Sequence, residues 1–348
     1  MNMQANHPNH KTTAKSIYRP KTAAAVILLG LGLLAAAMAS SIIYGASNIK
    51  LSTIWEAFVR FDADSTPHQI IQRLRMPRAL AAALIGGSLA VSGAIMQGMT
   101  RNALASPSIM GVTAGASFMM SIGFAFMESP SITALMLLSF AGAGLGAGLV
   151  LLIGSLSKRG LTPVKLALAG SAVTALLSSI SSAIAIRFNV AKDISFWYAG
   201  GVSGVQWVNV KLLIPVAIVG LLIALALSRS ITVMSLGEEV ATGLGQKTGT
   251  VKFLGTLVVL LLTGAAVAVG GTIGFVGLVI PHIVRFIVGP DYRLIIPCSA
   301  VMGALLLVFA DVGARMINPP FETPVGAITA MIGVPFFLYL ARREGRGL

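Results

Sequence analysis

The chain has 348 residues, of which 56% are hydrophobic and only 10% are charged. Soluble domains carry about 25% charged residues, and the mean hydropathy of +0.88 is also far from a soluble balance. A net charge of +14 would suggest a nucleic-acid partner in a soluble protein. Here the basic residues lie mostly in tails and in short segments between apolar runs. The composition therefore excludes the soluble classes and predicts a polytopic membrane protein.

Membrane-spanning helices are expected wherever apolar residues continue for about 20 positions, enough to cross about 30 Å of hydrocarbon. Ten segments qualify: Thr22–Tyr44, Ala79–Met99, Ser108–Met127, Ile132–Leu156, Val164–Ile186, Val210–Leu227, Val251–Val269, Ile273–Val288, Leu294–Ala314 and Val325–Ala341. The eighth is short and follows glycines, so we expect it to be tilted, broken or buried against its neighbours. The predicted fold class is all-α, with one transmembrane domain at residues 22–341 between polar tails at 1–21 and 342–348.

Basic residues predict the orientation in the membrane. With an even number of spans and the N-terminus inside, sixteen of the 25 lysines and arginines are cytoplasmic, as the positive-inside rule requires. Both termini are thus predicted to be cytoplasmic, with the long segment Asn48–Gln72 outside. A signal peptide cleaved near Ala39 is the alternative for the first span. The apolar run continues to Tyr44, however, which is longer than a usual signal core.

A polar segment at residues 235–249, called the insert below, separates the sixth span from the seventh. Leu236, Val240 and Leu244 recur every four residues, which predicts a short helix with a narrow apolar stripe. Such a helix is too short to cross lipid, and the glycines around it allow sharp turns. It suits a rigid knob that enters a groove on a soluble partner. An ordinary solvated loop is the alternative.

Residues that perform bond chemistry are scarce. The chain has four scattered histidines and a single cysteine, Cys298, so the sequence predicts no metal cluster, no intramolecular disulfide and no catalytic combination. A phosphate-binding loop is excluded because Ala241 and Gln246 stand where its pattern needs glycine. We therefore predict a protein that is not an enzyme and that has no cofactor.

Charged residues inside the predicted spans are almost absent. A charge at the bilayer centre costs at least about 2.5 to 3.5 kcal/mol, and an ion-coupled transporter normally retains a few where they work. Asp311 and Arg315 lie four residues apart near the end of span nine, a spacing that predicts a structural ion pair. This pattern weighs against a secondary transporter or channel, which remains the alternative class.

Polar and small residues within the spans have two interpretations each. Gln97, Thr174 and Ser178 could line a translocation path, although hydrogen bonds between helices or to the preceding turn explain them equally well. Gly142 and Gly146, and likewise Gly144 and Gly148, lie four residues apart, which predicts tight helix packing. A sliding surface for alternating access is the other interpretation.

Several motifs resemble those of one family of permeases. The run Gly274-Phe-Val-Gly-Leu-Val-Ile-Pro-His-Ile-Val-Arg285 is similar to the signature of ABC-importer permeases for ferric siderophores, haem and cobalamin. The resemblance covers about residues 70–341 and includes Arg75-Met-Pro-Arg78, Ser92-Gly-Ala-Ile-Met-Gln97, Arg101-Asn-Ala-Leu-Ala-Ser-Pro107, Phe196-Trp-Tyr-Ala-Gly-Gly201 and Pro324-Val-Gly-Ala-Ile-Thr329. At Ala103 the family usually has proline, which predicts a less abrupt helix stop here.

The resemblance implies a type II ABC-importer permease fold in the bacterial cytoplasmic membrane. It implies four kinds of partner: a second permease subunit, identical or not, two cytoplasmic ATP-binding subunits, an extracytoplasmic substrate-binding protein and the lipid bilayer. No nucleic-acid partner is expected. A ferric siderophore is the expected substrate, with haem and cobalamin as alternatives.

The resemblance also assigns two sets of site residues. Coupling to the ATPases is expected at Leu236, Gly237, Glu238, Glu239, Val240, Leu244 and Gly245. Docking of the binding protein is expected at three outward-facing arginines, Arg75, Arg78 and Arg315, which would face glutamates on its two lobes. Snorkelling of these arginines to lipid headgroups is the alternative.

Overall fold

The computed structural model of the protein describes residues 19–44, 51–108, 110–155, 163–192, 194–195, 201–318 and 323–344. Within these ranges every regular element is helical. The helices are α1 (Pro20–Ile43), α2 (Leu51–Val59), α3 (Thr66–Gln69), α4 (Met76–Thr100), α5 (Val112–Phe126), α6 (Ile132–Ser155), α7 (Pro163–Arg187), α8 (Trp207–Ser235), α9 (Glu238–Gly243), α10 (Thr248–Gly270), α11 (Val276–Val288), α12 (Tyr292–Ile317) and α13 (Val325–Glu344). A π-helical turn, Ile70–Arg75, joins α3 to α4 without a break. The predicted tail residues 1–18 and 345–348 and motif residues 196–200 lie outside the described ranges.

All ten predicted spans correspond to helices in the described part of the chain. Seven are long and apolar enough to cross a membrane, and the other three are the shorter apolar helices Val112–Phe126, Val276–Val288 and Val325–Leu338. The all-α, polytopic fold class is therefore confirmed. Two helices extend well beyond their predicted spans: span two belongs to a continuous helix, Thr66–Thr100, and span six to Trp207–Ser235. Polar residues at their ends shorten the apolar runs but not the helices.

Helix α4 lies in the centre of the bundle and packs against α8, α10, α11 and α12. Its glycines bring backbones into direct contact. A Cβ added at Gly93 would lie 1.7 Å from the carbonyl oxygen of Gly277 in α11, and one at Gly86 would lie 2.2 Å from that of Gly303 in α12. Only glycine fits at such crossings, so these residues fix how closely the central helices approach each other.

Glycines also set the contact between α5 and α6. A Cβ added at Gly142 would lie 2.2 Å from the carbonyl oxygen of Gly115, and one at Gly146 would lie 2.1 Å from that of Gly111. Tight packing is therefore confirmed for Gly142 and Gly146. At Gly144 and Gly148, on another face of α6, an added Cβ would meet nothing within 4 Å, so tight packing of this second pair is not found within the described part of the chain.

Helix α11 confirms the expectation for the eighth span. It has 13 residues, begins after Phe275 with its φ of 67°, and ends before Gly289. Its first turns, Val276–Pro281, are buried against neighbouring helices. A non-helical stretch at residues 271–274 separates it from α10. Such a break is tolerated at membrane depth because the surrounding protein covers it.

Candidate coupling and docking sites

The insert folds into one short helix, α9, between two sharp turns. Gly237 precedes the helix with a φ of 139°, and Gly245 follows it with a φ of 79°. Side chains other than glycine rarely adopt these conformations, so both glycines are needed for the chain to leave α8 and enter α10 within so few residues. The knob expected from the sequence is present as a compact projection.

The apolar stripe of the insert is exposed. Leu236, Val240 and Leu244 are 61%, 47% and 69% exposed, whereas Ala241 of α9 is fully buried. Only Val240 lies within α9, because Leu236 caps the end of α8 and Leu244 caps the end of α9. The prediction of one helix carrying all three residues is therefore wrong, since Gly237 breaks the helix. The three exposed side chains still give the insert an apolar surface suited to a partner's groove.

Polar contacts hold the insert against the bundle. Lys252 Nζ of α10 lies 2.6 Å from Glu238 Oε1, and Gln246 Nε2 donates to the carbonyl oxygen of Ser230 in α8 at 2.9 Å. The hydrogen bond from Lys252 is the main cause that lowers the pKa of Glu238 below its usual value. Glu239, the other acidic residue, is exposed. The two glutamates therefore differ, because Glu238 braces the insert within the chain.

The Glu238–Lys252 pair, called the brace below, could not be predicted from local pattern, because its two residues are 14 positions apart and lie on different helices. A cavity of about 480 Å³ lies beside the brace, with Glu238, Lys252 and Arg101 among its polar lining residues. Four methionines also line it: Met96, Met99, Met110 and Met234. Methionine side chains adapt readily to a changing shape, so the packing behind the insert is deformable.

The opposite end of the bundle contains the arginine cluster, defined here as Arg75, Arg78 and Arg315 with Asp311. Asp311 is fully buried. Arg78 Nη2 lies 2.9 Å from Asp311 Oδ1, and Arg315 Nη2 lies 3.0 Å from Asp311 Oδ2. The predicted pairing of Asp311 with Arg315 is confirmed, and Arg78 adds a second cation from α4. The carboxylate thereby joins α4 to α12.

The arginine cluster also holds the end of α1. Arg75 Nη1 donates to the carbonyl oxygens of Ile42 at 2.6 Å and Ile43 at 2.8 Å. Arg315 Nη1 donates to the carbonyl oxygen of Ser41 at 3.1 Å. The last carbonyl groups of a helix have no donor within it and carry partial negative charge, so cations stabilise them.

The three arginines predicted to dock the binding protein are largely buried. Arg75 and Arg78 are 6% and 8% exposed, and the Arg315 side chain is 8% exposed. The physical reason is that a buried carboxylate and the carbonyl groups ending α1 need donors there. The exposed arginine of the same segment is Arg73.

The predicted path residues do not come together. Gln97 is buried, donates from Nε2 to the carbonyl oxygen of Leu278 at 3.1 Å, and accepts from Arg285 Nη2 at 3.2 Å. It therefore belongs to a hydrogen-bond network that links α4 to α11. Thr174 and Ser178 lie instead on α7, where Thr174 is half-buried and Ser178 is exposed. Helix α7 packs mainly against α5 and α6, at the edge of the bundle.

These features define a polytopic membrane protein with a tightly packed helical body and a projecting insert. Its transport class follows from its relatives. The chain belongs to the FecCD transport family, because the sequence model of that family matches residues 33–343. It is accordingly a transport permease.

Two curated relatives and one solved structure illustrate the similarity. The chain is 60% identical over 347 residues to the iron(3+)-hydroxamate import system permease protein FhuB of Bacillus subtilis (strain 168), covering 99% of this chain and 90% of that protein. It is 46% identical to the iron-uptake system permease protein FeuB of the same organism, covering 88% and 91%. A solved inward-facing conformation of a metal-chelate type ABC transporter has a TM-score of 0.79 and 28% identity, covering 93% of this chain and 99% of that one. The predicted permease fold of ABC importers is thus confirmed.

Proposed function

We propose that this protein is the membrane permease of an ABC importer that moves ferric hydroxamate siderophores across the bacterial cytoplasmic membrane. The single observation that carries the substrate is the 60% identity, over nearly the whole chain, to an iron(3+)-hydroxamate import permease. The fold supports the transport class, because the buried glycine crossings of α4 make a rigid body that partner subunits can move as a unit.

ATP-binding subunits would couple to the permease through α9. The exposed side chains of Leu236, Val240 and Leu244 would enter a groove on the ATPase, and exposed Glu239 would meet its basic rim. The insert continues directly into α10, which packs against α4, α6 and α8. A push on α9 would therefore reach the centre of the bundle without crossing a flexible linker. The insert would lie in the cytoplasm, as would both termini.

A second permease subunit, identical or not, would cover the exposed edge that includes α7. The polar side chains of Thr174 and Ser178 would then line a path between the two subunits. Gln97 would act at a distance from that path, by holding α4 against α11.

The binding protein would dock at the end of the bundle that carries the arginine cluster. Arg75, Arg78 and Arg315 are nearly buried, so their charge would act over a distance on an acidic partner, where burial limits screening by salt. Their contacts would also hold the docking face in shape. The exposed Arg73 would be the main residue to form ion pairs directly with the binding protein.

Uptake of labelled substrates tests this proposal. A strain lacking its own ferric-siderophore permeases would receive this chain with its ATPase and binding protein, and would be offered radiolabelled ferric hydroxamates, a ferric catecholate, ferric citrate, haem and cobalamin. We expect uptake of the hydroxamates in excess of all the others. Preferential uptake of another chelate would contradict the proposed substrate. Uptake that does not depend on the ATPase would contradict the assignment to the ABC importers.

A further inference from the structure

Helix α2 carries an apolar surface that the proposed function does not use. Trp55, Phe58 and Val59 are 71%, 50% and 59% exposed. Their spacing of three and four residues places them on one side of the helix. Exposed apolar side chains that adjoin one another in this way mark an interaction surface rather than scattered surface residues.

Another side of α2 is already buried in the protein. Ile54 and Ala57 form a small core with Ile71 of the π-helical turn, and the last turn of α1 packs against this core. Gln72 Nε2 adds a hydrogen bond to the carbonyl oxygen of Ala57 at 2.7 Å. The apolar side that includes Trp55 is therefore presented by a helix in a fixed position.

The remaining side of α2 is polar. Glu56 and Arg60 are both exposed and lie one turn apart. The helix thus has three sides: one covered by protein, one apolar and exposed, and one charged and exposed. An amphipathic helix of this kind lies in the plane of a membrane interface, with its apolar side towards the acyl chains and its charged side towards water.

The position of α2 identifies the bilayer as the surface that covers its apolar side. Helix α1 is a membrane span whose leucines, such as Leu28 and Leu29, are exposed and therefore meet lipid. Helix α2 packs against the last turn of this span, and a span of 24 residues is long enough for its last turn to reach the surface of the bilayer. Exposed Leu74 and Tyr44 lie in the adjoining chain segments, and tryptophan and tyrosine are enriched at this level of membrane proteins.

We propose that α2 is an interfacial helix that places Trp55, Phe58 and Val59 in the boundary between the lipid headgroups and the acyl chains, with Glu56 and Arg60 facing water. Because α2 is bonded to the π-helical turn, the bilayer surface then sets the depth of that turn and of the arginines that it carries.

Spin labels on α2 test the proposal with controls on the same helix. Trp55→Cys, Val59→Cys, Glu56→Cys and Arg60→Cys would be made singly in a Cys298→Ser protein, labelled, and placed in lipid nanodiscs without any binding protein. Collisions with oxygen, which partitions into lipid, are compared with collisions with a water-soluble nickel chelate. We expect the oxygen-to-nickel collision ratio to be severalfold higher at positions 55 and 59 than at 56 and 60.

Two results would overturn the proposal. Free collision with the nickel chelate at all four positions would place the apolar side in water, open to a soluble partner. Protection of positions 55 and 59 from both reagents would mean that another protein surface, such as a second copy of the chain, covers them. If Trp55→Cys does not fold, Phe58→Cys gives the same comparison.

Discussion

The two ends of the helical bundle hold their charges in opposite ways. At the arginine cluster, Asp311 is fully buried between Arg78 and Arg315. At the insert, the side chains of Glu238 and Lys252 form a pair that is 57% and 47% exposed. A buried carboxylate with two cations fixes the helices that supply them, because separating the charges leaves one of them unpaired inside the protein. An exposed pair contributes little and can open when the insert moves.

The two ends also differ in what they hold in place. The arginine cluster joins α4 and α12 and holds the last turn of α1 through carbonyl groups. The insert keeps its apolar side chains outside, with an adaptable methionine-lined cavity behind it. The arginine cluster is therefore the more firmly anchored end, whereas the insert leaves its apolar side chains open to a partner.

Removal of the buried carboxylate gives the largest expected effect. Asp311→Ala leaves the positive charges of Arg78 and Arg315 without their shared partner, at a cost of about 3 to 5 kcal/mol. We expect loss of most folded protein, measured by size-exclusion chromatography and thermal unfolding in detergent.

A matched control lies at the other end of the same helix. Asp291 is also nearly buried, at 8% exposed, and caps α12 by accepting from the backbone N–H of Arg293 at 2.9 Å. Its cation, the Arg293 side chain, is 45% exposed, so water can solvate that charge when the carboxylate is removed. The expected cost is therefore close to that of a lost helix cap, about 1 kcal/mol. Asp291→Ala should therefore lower the melting temperature only modestly. Equal losses for the two substitutions would contradict the proposed difference between the ends.

Exchanging the charges of Glu238 and Lys252 tests whether their ion pair is needed for coupling to the ATPase, and it leaves the apolar residues of the insert unchanged. Glu238→Lys places two cations together and should lower substrate-stimulated ATP hydrolysis in reconstituted complexes, whereas combining it with Lys252→Glu should restore most of it. The change in thermal stability should be at most about 1 kcal/mol, as for exposed pairs.

Glu239→Lys serves as the comparison for the brace, since Glu239 is exposed and is expected to meet the ATPase directly. Lys252→Glu should not restore the ATP hydrolysis that Glu239→Lys lowers. If hydrolysis stays low in the Glu238→Lys, Lys252→Glu double variant, Glu238 acts on the ATPase and not on α10.

The smallest expected effect is that of an Arg73 substitution on association with the binding protein. Arg73→Glu should weaken association of the binding protein by at most about fivefold, corresponding to about 1 kcal/mol for an exposed pair, and the loss should shrink as salt is raised. Arg73→Lys keeps the charge and should remain close to wild type. Association measured by surface plasmon resonance, with no difference between the two variants at low salt, would remove Arg73 from the docking face.

The spans could be predicted well because a membrane-spanning helix requires an uninterrupted run of apolar residues, which is visible in the sequence. It missed α2, which has only nine residues and is too short to give a hydropathy signal. The repeat of Leu51, Ile54, Trp55 and Phe58 at helical spacing was the available sign of an amphipathic helix.

Burial of the arginines could not be predicted from local pattern. Arg75 contacts carbonyl groups more than 30 residues earlier in the chain, and Arg78 pairs with Asp311 across 233 residues. An arginine at the end of a span can equally reach headgroups or a distant carboxylate, and only the packing of α1, α4 and α12 selects between them. The apolar residues of the insert could be identified because they all lie within one short segment, whereas the break of the helix at Gly237 could not.

The central claim is that the exposed apolar surface of the insert, formed by Leu236, Val240 and Leu244, is the surface that the ATPase grips, and Leu244→Glu tests it most directly. Leu244 is 69% exposed, so a charge there should leave expression and melting temperature unchanged. Co-purification of the ATPase with the tagged permease should be lost, together with substrate-stimulated hydrolysis, while Leu244→Met retains both. Normal ATPase association and stimulation in Leu244→Glu would contradict the claim.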